Sequence, residues 1–560
     1  MKVILTKLFL CVTIATSVAD DLRGHLIPAV RLLKEFRPVG GAGNNLIHPE
    51  FNAVPGAPEL HIAPLNFAGP NNQPISGPNA RMISNIISGG TDSKGNNDQT
   101  GDPIASDWLY VFGQFIDHDL DLEDTPLTNA DINIAIPPGD PVFPAGTRIA
   151  MNRATRNPRT NTIINTSAGY LDLSQLYGST KQVAESLRNA DGRLKTSDNQ
   201  QALPVVNNEF VTGDPRVMEN AELTVATTLF MREHNYWVGV LKRQHPWWNG
   251  DQLYQMAKAI TTAEYQNIIY TEYLPLLLGK DALAPYHGYN PEVSSQVTQE
   301  FSTAAFRVGH SQISDTQNGI DNNGNVTFTE SLAQSFFNTA AIDEANGLNN
   351  LLRSLSIGGA QATDVFAVAA LRNLLFAPLV GGGVDVIDLI AIDIERQRDV
   401  GLGSLNQTRV ALGLKPCHSF AELTPDPVLQ QRFQNIYGEI NNVDLFMGGL
   451  AESPVPPTVR DAGVLGETFE EIIARQFENL RDGDRFFWLN QPFDHATAEM
   501  IAHTTLADLL IRNNDTPGLK SEAEVFYAAP LPGPPPKAPI PNPVDTHGRD
   551  VDDHLKQGNW

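Results

Sequence analysis

Cysteine is almost missing from this chain: Cys11 and Cys417 are the only two in 560 residues. A small scaffold stapled by disulfides is therefore excluded, and the fold must rest on a core large enough to stand alone. If Cys11 leaves with an N-terminal leader, one cysteine remains, and Cys417 reads as a buried thiol rather than a nucleophile. Positive charge is also short, with 39 Lys and Arg against 64 Asp and Glu and a net charge of −25. That balance argues against nucleic-acid binding by phosphate neutralisation and against docking on an anionic membrane. Past the N-terminus, no stretch reaches the roughly 18 uninterrupted apolar residues of a membrane helix. Strand patterns are few, and no internal repeat is found.

What is present is globular material, 41% hydrophobic and 18% charged. Residues 1–19, "MKVILTKLFLCVTIATSVA", have a basic start, a short apolar run and small residues before Asp20. They predict a secretory signal peptide, with a cytosolic N-terminal helix as the alternative. Residues 20–75 are rich in Gly, Pro and Asn and are expected to form an extended N-terminal arm. Residues 76–527 have the density of one large domain. The proline-rich "APLPGPPPKAPIPNPVD" predicts a flexible tail over 528–560. Helical spacing is strong over Glu222 to Arg243, Gln252 to Leu278 and Thr468 to Leu480, so the expected class is mainly α with few short strands. "GIDNNGNVTFTE" (Gly319 to Glu330) reads as a hairpin or a loop entering a helix. Its likeness to a calcium-binding EF loop fails at the first position, which is Gly319.

One stretch carries chemistry. "WLYVFGQFIDHDLD" (Trp108 to Asp121) looks like a buried helix interrupted by Gln114, Asp117, His118 and Asp119. Burying four such groups without partners is expensive. Gln114 and His118 stand at i and i+4 and share a face, with Asp117 flanking it. Asp119 lies about 100° round the helix from His118 and points elsewhere. Each residue alone would suit a structural hydrogen bond, but the four together point to a site.

"GQFIDHDLD" closely resembles the distal helix of the animal-type haem peroxidases, the family of myeloperoxidase, lactoperoxidase and peroxidasin. Further segments follow in the family's order: "GDPRVMENAELT", "REHN", "FRVGHSQI", "IDIERQRDVG", "VDLFMGGLAE" and "QFENLRDGDRFFW". The resemblance spans roughly residues 80–526 and implies a single large helical haem-peroxidase domain. It implies haem b held by His310 on iron. Asp393 would hydrogen-bond that histidine where most animal members carry Asn, predicting a lower iron potential. His118 would be the general base, Arg216 would stabilise developing charge, and Gln114 would hold water or a halide. Arg307 takes the position three before the proximal histidine, and Arg396 fits the residue that neutralises a haem propionate. Asp117 and Glu219 match the carboxylates that become haem esters. Asn220 stands where myeloperoxidase has a sulfonium-forming methionine, so that link and chloride oxidation are not expected. Asp119, Ala168, Tyr170, Asp172 and Ser174 fit a calcium site, weakened because Ala168 offers only a carbonyl. Val400 replaces a histidine common after "RD".

The implied protein is a secreted peroxidase with a part in the response to oxidative stress. It would reduce hydrogen peroxide and oxidise bromide, iodide, thiocyanate or phenols through a ferryl intermediate. Fatty-acid dioxygenases of the same superfamily are one alternative, but they carry a radical-forming tyrosine where this chain has Arg307. An adhesion or matrix protein on a peroxidase scaffold is another. Sequons at Asn165, Asn325, Asn406 and Asn514 are open to glycosylation in a eukaryotic source. Asn165 would need an outward-facing side chain.

Overall fold

The structure, a computed structural model, describes residues 27–528 apart from 70, 198–200, 339, 344, 377–384, 453–461, 515–518 and 520–522. The signal peptide expected over 1–19 lies outside the described residues, as does the expected tail beyond residue 528.

Strand β1 (Gly101–Ser106) leads into helix α1 (Trp108–Leu120), the buried rod on which the site is built. Its apolar side chains surround it almost completely, so it must sit inside the core. Only Gly113, Gln114 and Asp117 are less than fully buried, and they form one edge of the helix. Phe115 stacks on Phe230 with ring centroids 4.9 Å apart and meets Tyr265 edge-on at 5.7 Å. Aromatic pairs of this kind add about 0.5–1.5 kcal/mol beyond the area they bury. Gly113 is required here: a Cβ on it would lie 2.7 Å from the Tyr273 hydroxyl.

Helices α2 (Ala221–Gln244) and α3 (Gly250–Ile268) pack on each other, and α2 also packs against α1. Asn220 caps α2 through the Leu223 N–H. Asn249 and Gln252 form a capping box that starts α3, satisfying N–H groups that the first turn leaves open. A π-turn at Ile269–Tyr273 carries the chain into Leu274–Leu278, where Pro275 is tolerated in the first turn. The single helix expected over Gln252 to Leu278 is thus a helix with a π insertion.

A tight turn at Ala305–Val308 precedes the short helix α4 (Gly309–Gln312), which packs on α1. Strands β2 (Thr316–Ile320) and β3 (Val326–Ser331) pair antiparallel. The segment once compared with an EF loop is therefore a hairpin. Its Asp321 carboxylate accepts the N–H groups of Asn323 and Asn325, both at 2.8 Å, and so closes the turn itself. Strand β4 (Gly359–Gln361) pairs with β1, and each sheet among the described residues has two strands. Helix α5 (Leu389–Val400) is capped by Asp388 and stopped by Gly401 at φ 84°. Helices α6 (Leu445–Ala451), α7 (Glu467–Asp482) and α8 (Leu506–Asn513) complete the frame. The glycine pair Gly448–Gly449 in α6 lets Leu405 and Phe469 approach its backbone.

The arm is stitched to the body. Ile27, Val30 and Leu33 join Trp237, Trp248, Phe487 and Trp488 in a second apolar cluster. Arg37 pairs with Asp484 at 2.5 Å. Cys417 is a free, buried thiol. Among the described residues no helix is long and apolar enough to cross a membrane. Three sequons are buried: Asn165, Asn406 and Asn514. Asn165 does not face outward, because its amide bonds the Leu120 carbonyl and the Leu122 and Ser167 N–H groups. Asn325 at the hairpin turn is exposed.

Candidate active site

Helix α1 delivers His118, 4% exposed, and the loop before α2 delivers Arg216 and Glu219. Glu219 Oε2 lies 3.4 Å from His118 Nε2, and Asp214 Oδ1 lies 3.8 Å from His118 Nδ1. Both separations exceed an ordinary hydrogen bond, so the ring is flanked by carboxylates without being clamped. Arg216 is held firmly: Nη2 donates to Asp214 Oδ2 at 2.7 Å and to the Asp121 carbonyl at 2.6 Å. Burial opposes its charge, but the Asp214 carboxylate outweighs burial and raises the guanidinium pKa further. Asp214 was missed from sequence, although its place two residues before Arg216 in "GDPR" is the signal that could have found it.

Asp117 lies on the less buried edge of α1. Burial, and then the nearby Asp121, push its carboxyl up to about 6, against the pull of Arg216, His118 and Arg307. Burial also opposes the charge of Glu219, but its contact with His118 prevails and lowers its pKa, with Arg216 and His310 adding to the effect.

The second histidine is held by short, tight contacts. His310 Nδ1 meets Asp393 Oδ2 at 2.6 Å, and Arg307 Nη1 donates to Asp393 Oδ1 at 2.8 Å. Asp393 is completely buried on α5. With Nδ1 occupied, His310 Nε2 is the nitrogen left for a metal, the arrangement that orients a ligating imidazole. The donor set therefore fits a haem iron. Arg396, one turn along α5, donates to Asp399 Oδ2 at 2.5 Å and to the Asn152 carbonyl at 2.9 Å. A propionate there would share the arginine with Asp399.

The reverse face of α1 carries the expected calcium set. The Asp119 carboxylate is fully buried and accepts the N–H groups of Asp172, Leu173 and Ser174 at 3.0, 3.0 and 2.5 Å. It also accepts the Ser174 hydroxyl at 2.9 Å. Leu173 takes a left-handed φ of 60° as the loop wraps round the carboxylate. The Ala168 carbonyl accepts the Tyr170 N–H, and the Tyr170 carbonyl accepts that of Asp172. Asp172 Oδ1 is buried without a hydrogen-bond partner. Burial raises both carboxyl pKa values; Asp172 adds to the shift at Asp119, while Lys258 and Arg37 counter it at Asp172. Asp119 already accepts four hydrogen bonds, so the carboxylate oxygen open to a cation is the orphaned Asp172 Oδ1. Among the described residues no group of three or more His, Cys, Asp or Glu could hold a metal, so a calcium ion here depends on carbonyls and Ser174.

An acidic edge was not foreseen. Gln299 Nε2 donates to Glu59 Oε2 at 2.6 Å and to Glu123 Oε1 at 3.0 Å. Burial, then Asp121, push the Glu59 carboxyl well up. Glu59 comes from the arm, and no local pattern links it to Asp121 or Glu123.

Residues 36–526 match the animal haem peroxidase family. The chain belongs to that family. This animal haem peroxidase is 29% identical to Peroxinectin A of Dictyostelium discoideum, over 92% of its own length and 98% of that protein's. It is 32% identical to mouse myeloperoxidase over 80% of its length and 68% of the relative's. Among solved structures, peroxidase A from Dictyostelium discoideum superposes with a TM-score of 0.76 at 28% identity, covering 89% of this chain and 99% of that one. A fatty acid alpha-dioxygenase of Oryza sativa gives 0.71 at 19% identity, covering 88% and 87%, which shows a shared fold alone. The protein is a haem-dependent peroxidase acting on hydrogen peroxide and a reducing substrate.

Proposed function

We propose that the protein is a secreted peroxidase that oxidises small donors, bromide, iodide, thiocyanate or phenols. The observation that carries this reading is the pairing of a loosely flanked His118 and a fixed Arg216 on one side with the His310–Asp393–Arg307 set on the other. Haem b bound at His310 supplies the redox-active iron. His118 takes a proton from the near oxygen of peroxide and returns it to the leaving oxygen. Arg216, already held in place by Asp214 and the Asp121 carbonyl, stabilises the negative charge that grows as the O–O bond lengthens. Gln114 holds water or a halide beside His118. Asp117 and Glu219 are the carboxyls that would form ester links, and Asp393 would lower the iron potential. Asn220 in place of a methionine leaves no sulfonium link, so chloride stays beyond reach. Asp119, Ala168, Tyr170, Asp172 and Ser174 would hold calcium, which would tie α1 to the loop that encloses it.

The test is the absorption spectrum of the haem-loaded protein before and after one equivalent of hydrogen peroxide. A Soret band that converts in the wild type and only slowly in His118→Ala supports the reading. A Soret band indifferent to peroxide overturns it. A dioxygenase is the second reading, because its fold is shared. Arg307 stands where its radical tyrosine would, so linoleate without peroxide should give no oxygen uptake.

A further inference from the structure

The amide of Gln114 has a determined orientation, and the residue that determines it is Asn220. The chain of hydrogen bonds begins at a group that can only donate. The backbone N–H of Leu223 reaches Asn220 Oδ1 at 2.8 Å, so that atom must be the carbonyl oxygen. Asn220 Nδ2 is then the amino end, and it donates to Gln114 Oε1 at 2.9 Å. Gln114 Oε1 is thereby the carbonyl, and its Nε2 points away from Asn220. Asn220 is 3% exposed and caps α2, so its own amide cannot flip, and it holds Gln114 Oε1 through the bond between them. Gln114 Nε2 makes no hydrogen bond with the described residues. Gln114 itself stands on the less buried edge of α1, one turn before His118.

We infer that Asn220 is a positioning residue for substrate specificity: it turns Gln114 so that two N–H donors, and no carbonyl, face the space beside His118. The inference rests on the peroxidase reading above and deepens it. A site offering N–H donors suits a small anion, whereas the opposite rotamer would present a carbonyl oxygen that repels one. Among the donors left open by the sequence, the arrangement favours thiocyanate, iodide and bromide over neutral phenols.

Asn220→Asp reverses the relay while keeping the helix cap. An aspartate accepts the Leu223 N–H equally well, but its second oxygen can only accept. Gln114 must then rotate to donate toward residue 220, which turns its carbonyl to the pocket. The expected result is a thiocyanate KM that rises about tenfold relative to the guaiacol KM, the size of one lost hydrogen bond to a charged group. Gln114→Leu removes the donor without adding charge and should shift the same ratio the same way. In the double variant the aspartate should add little, because both changes act through one amide. If Asn220→Asp shifts the ratio as strongly in the Gln114→Leu background, the effect is the new charge itself and the relay is wrong. If Asn220→Asp leaves the ratio unchanged while Gln114→Leu moves it, Asn220 does not orient Gln114. Thiocyanate titration of the ferric Soret band provides a binding readout independent of turnover. A protein that shows no Soret band after haem loading would instead overturn the underlying site, so the two failures are distinct.

Discussion

The two histidines of the site are held in opposite ways. His310 is fixed by a 2.6 Å bond to a completely buried carboxylate, whose other oxygen is taken by Arg307 at 2.8 Å. His118 has carboxylates on both sides, but at 3.4 and 3.8 Å. A ligand histidine gains from a rigid, charge-assisted bond, because its direction and basicity then stay constant. A histidine that must accept and release a proton gains from the absence of such a bond, which would commit its nitrogen. On the His118 side, rigidity is placed in Arg216, which is pinned by Asp214 and moves no proton.

The largest expected effect tests the ligand side. His310→Ala should abolish the Soret band of the loaded protein; retention of the wild-type band would remove His310 from the iron. Next comes the loosely flanked side. His118→Ala should keep the Soret band and slow its conversion by peroxide about 10²–10⁴-fold, the usual contribution of a positioned general base. Equal loss of haem in the two variants would erase the contrast between them.

The frame behind the distal helix has its own pH dependence. His234 on α2 is completely buried, with Nδ1 beside the Tyr177 hydroxyl and Nε2 beside the Gly192 carbonyl, both at 3.0 Å. Burial is the main cause that lowers its pKa to about 4, from an ordinary value of 6.5. Between those values the unfolded chain binds more protons than the folded one, so stability falls as pH drops through the window. The fall should approach about 3 kcal/mol in total. Urea unfolding from pH 7 to 4 should show it, and His234→Gln should flatten it; an unchanged slope in the variant would assign the loss to other groups. The smallest effect belongs to Asp393→Asn. With the charge gone from the bond to His310, the iron midpoint potential should rise by roughly tens of millivolts, within the reach of one charge-assisted hydrogen bond. An unchanged potential would mean that Arg307 already neutralises Asp393 as seen from the iron.

Much of the site was legible because its parts lie in short runs. Gln114, Asp117, His118 and Asp119 fall within six residues, and helical periodicity alone separates their faces. Helix α2 was readable for the same reason, since apolar residues recur at helical spacing from Glu222 to Arg243. The π-turn at Ile269–Tyr273 was not, because it shifts the hydrogen-bond register without changing composition. The burial of Asn165, Asn406 and Asn514 was also hidden, since a sequon carries no record of where its side chain packs.

By itself, the sequence determined the helical class, the residue types on the distal helix and the order of the segments that resemble a peroxidase. These depend on local periodicity and local chemistry. Only the tertiary structure decided which partner each polar group takes. Asp393 meets both His310 and Arg307 across more than eighty residues, Glu59 joins Glu123 through Gln299, and Asn220 fixes the amide of Gln114. Such pairings follow from the cost of leaving a buried polar group unpaired, which folding settles among whatever donors the packed elements bring within about 3 Å.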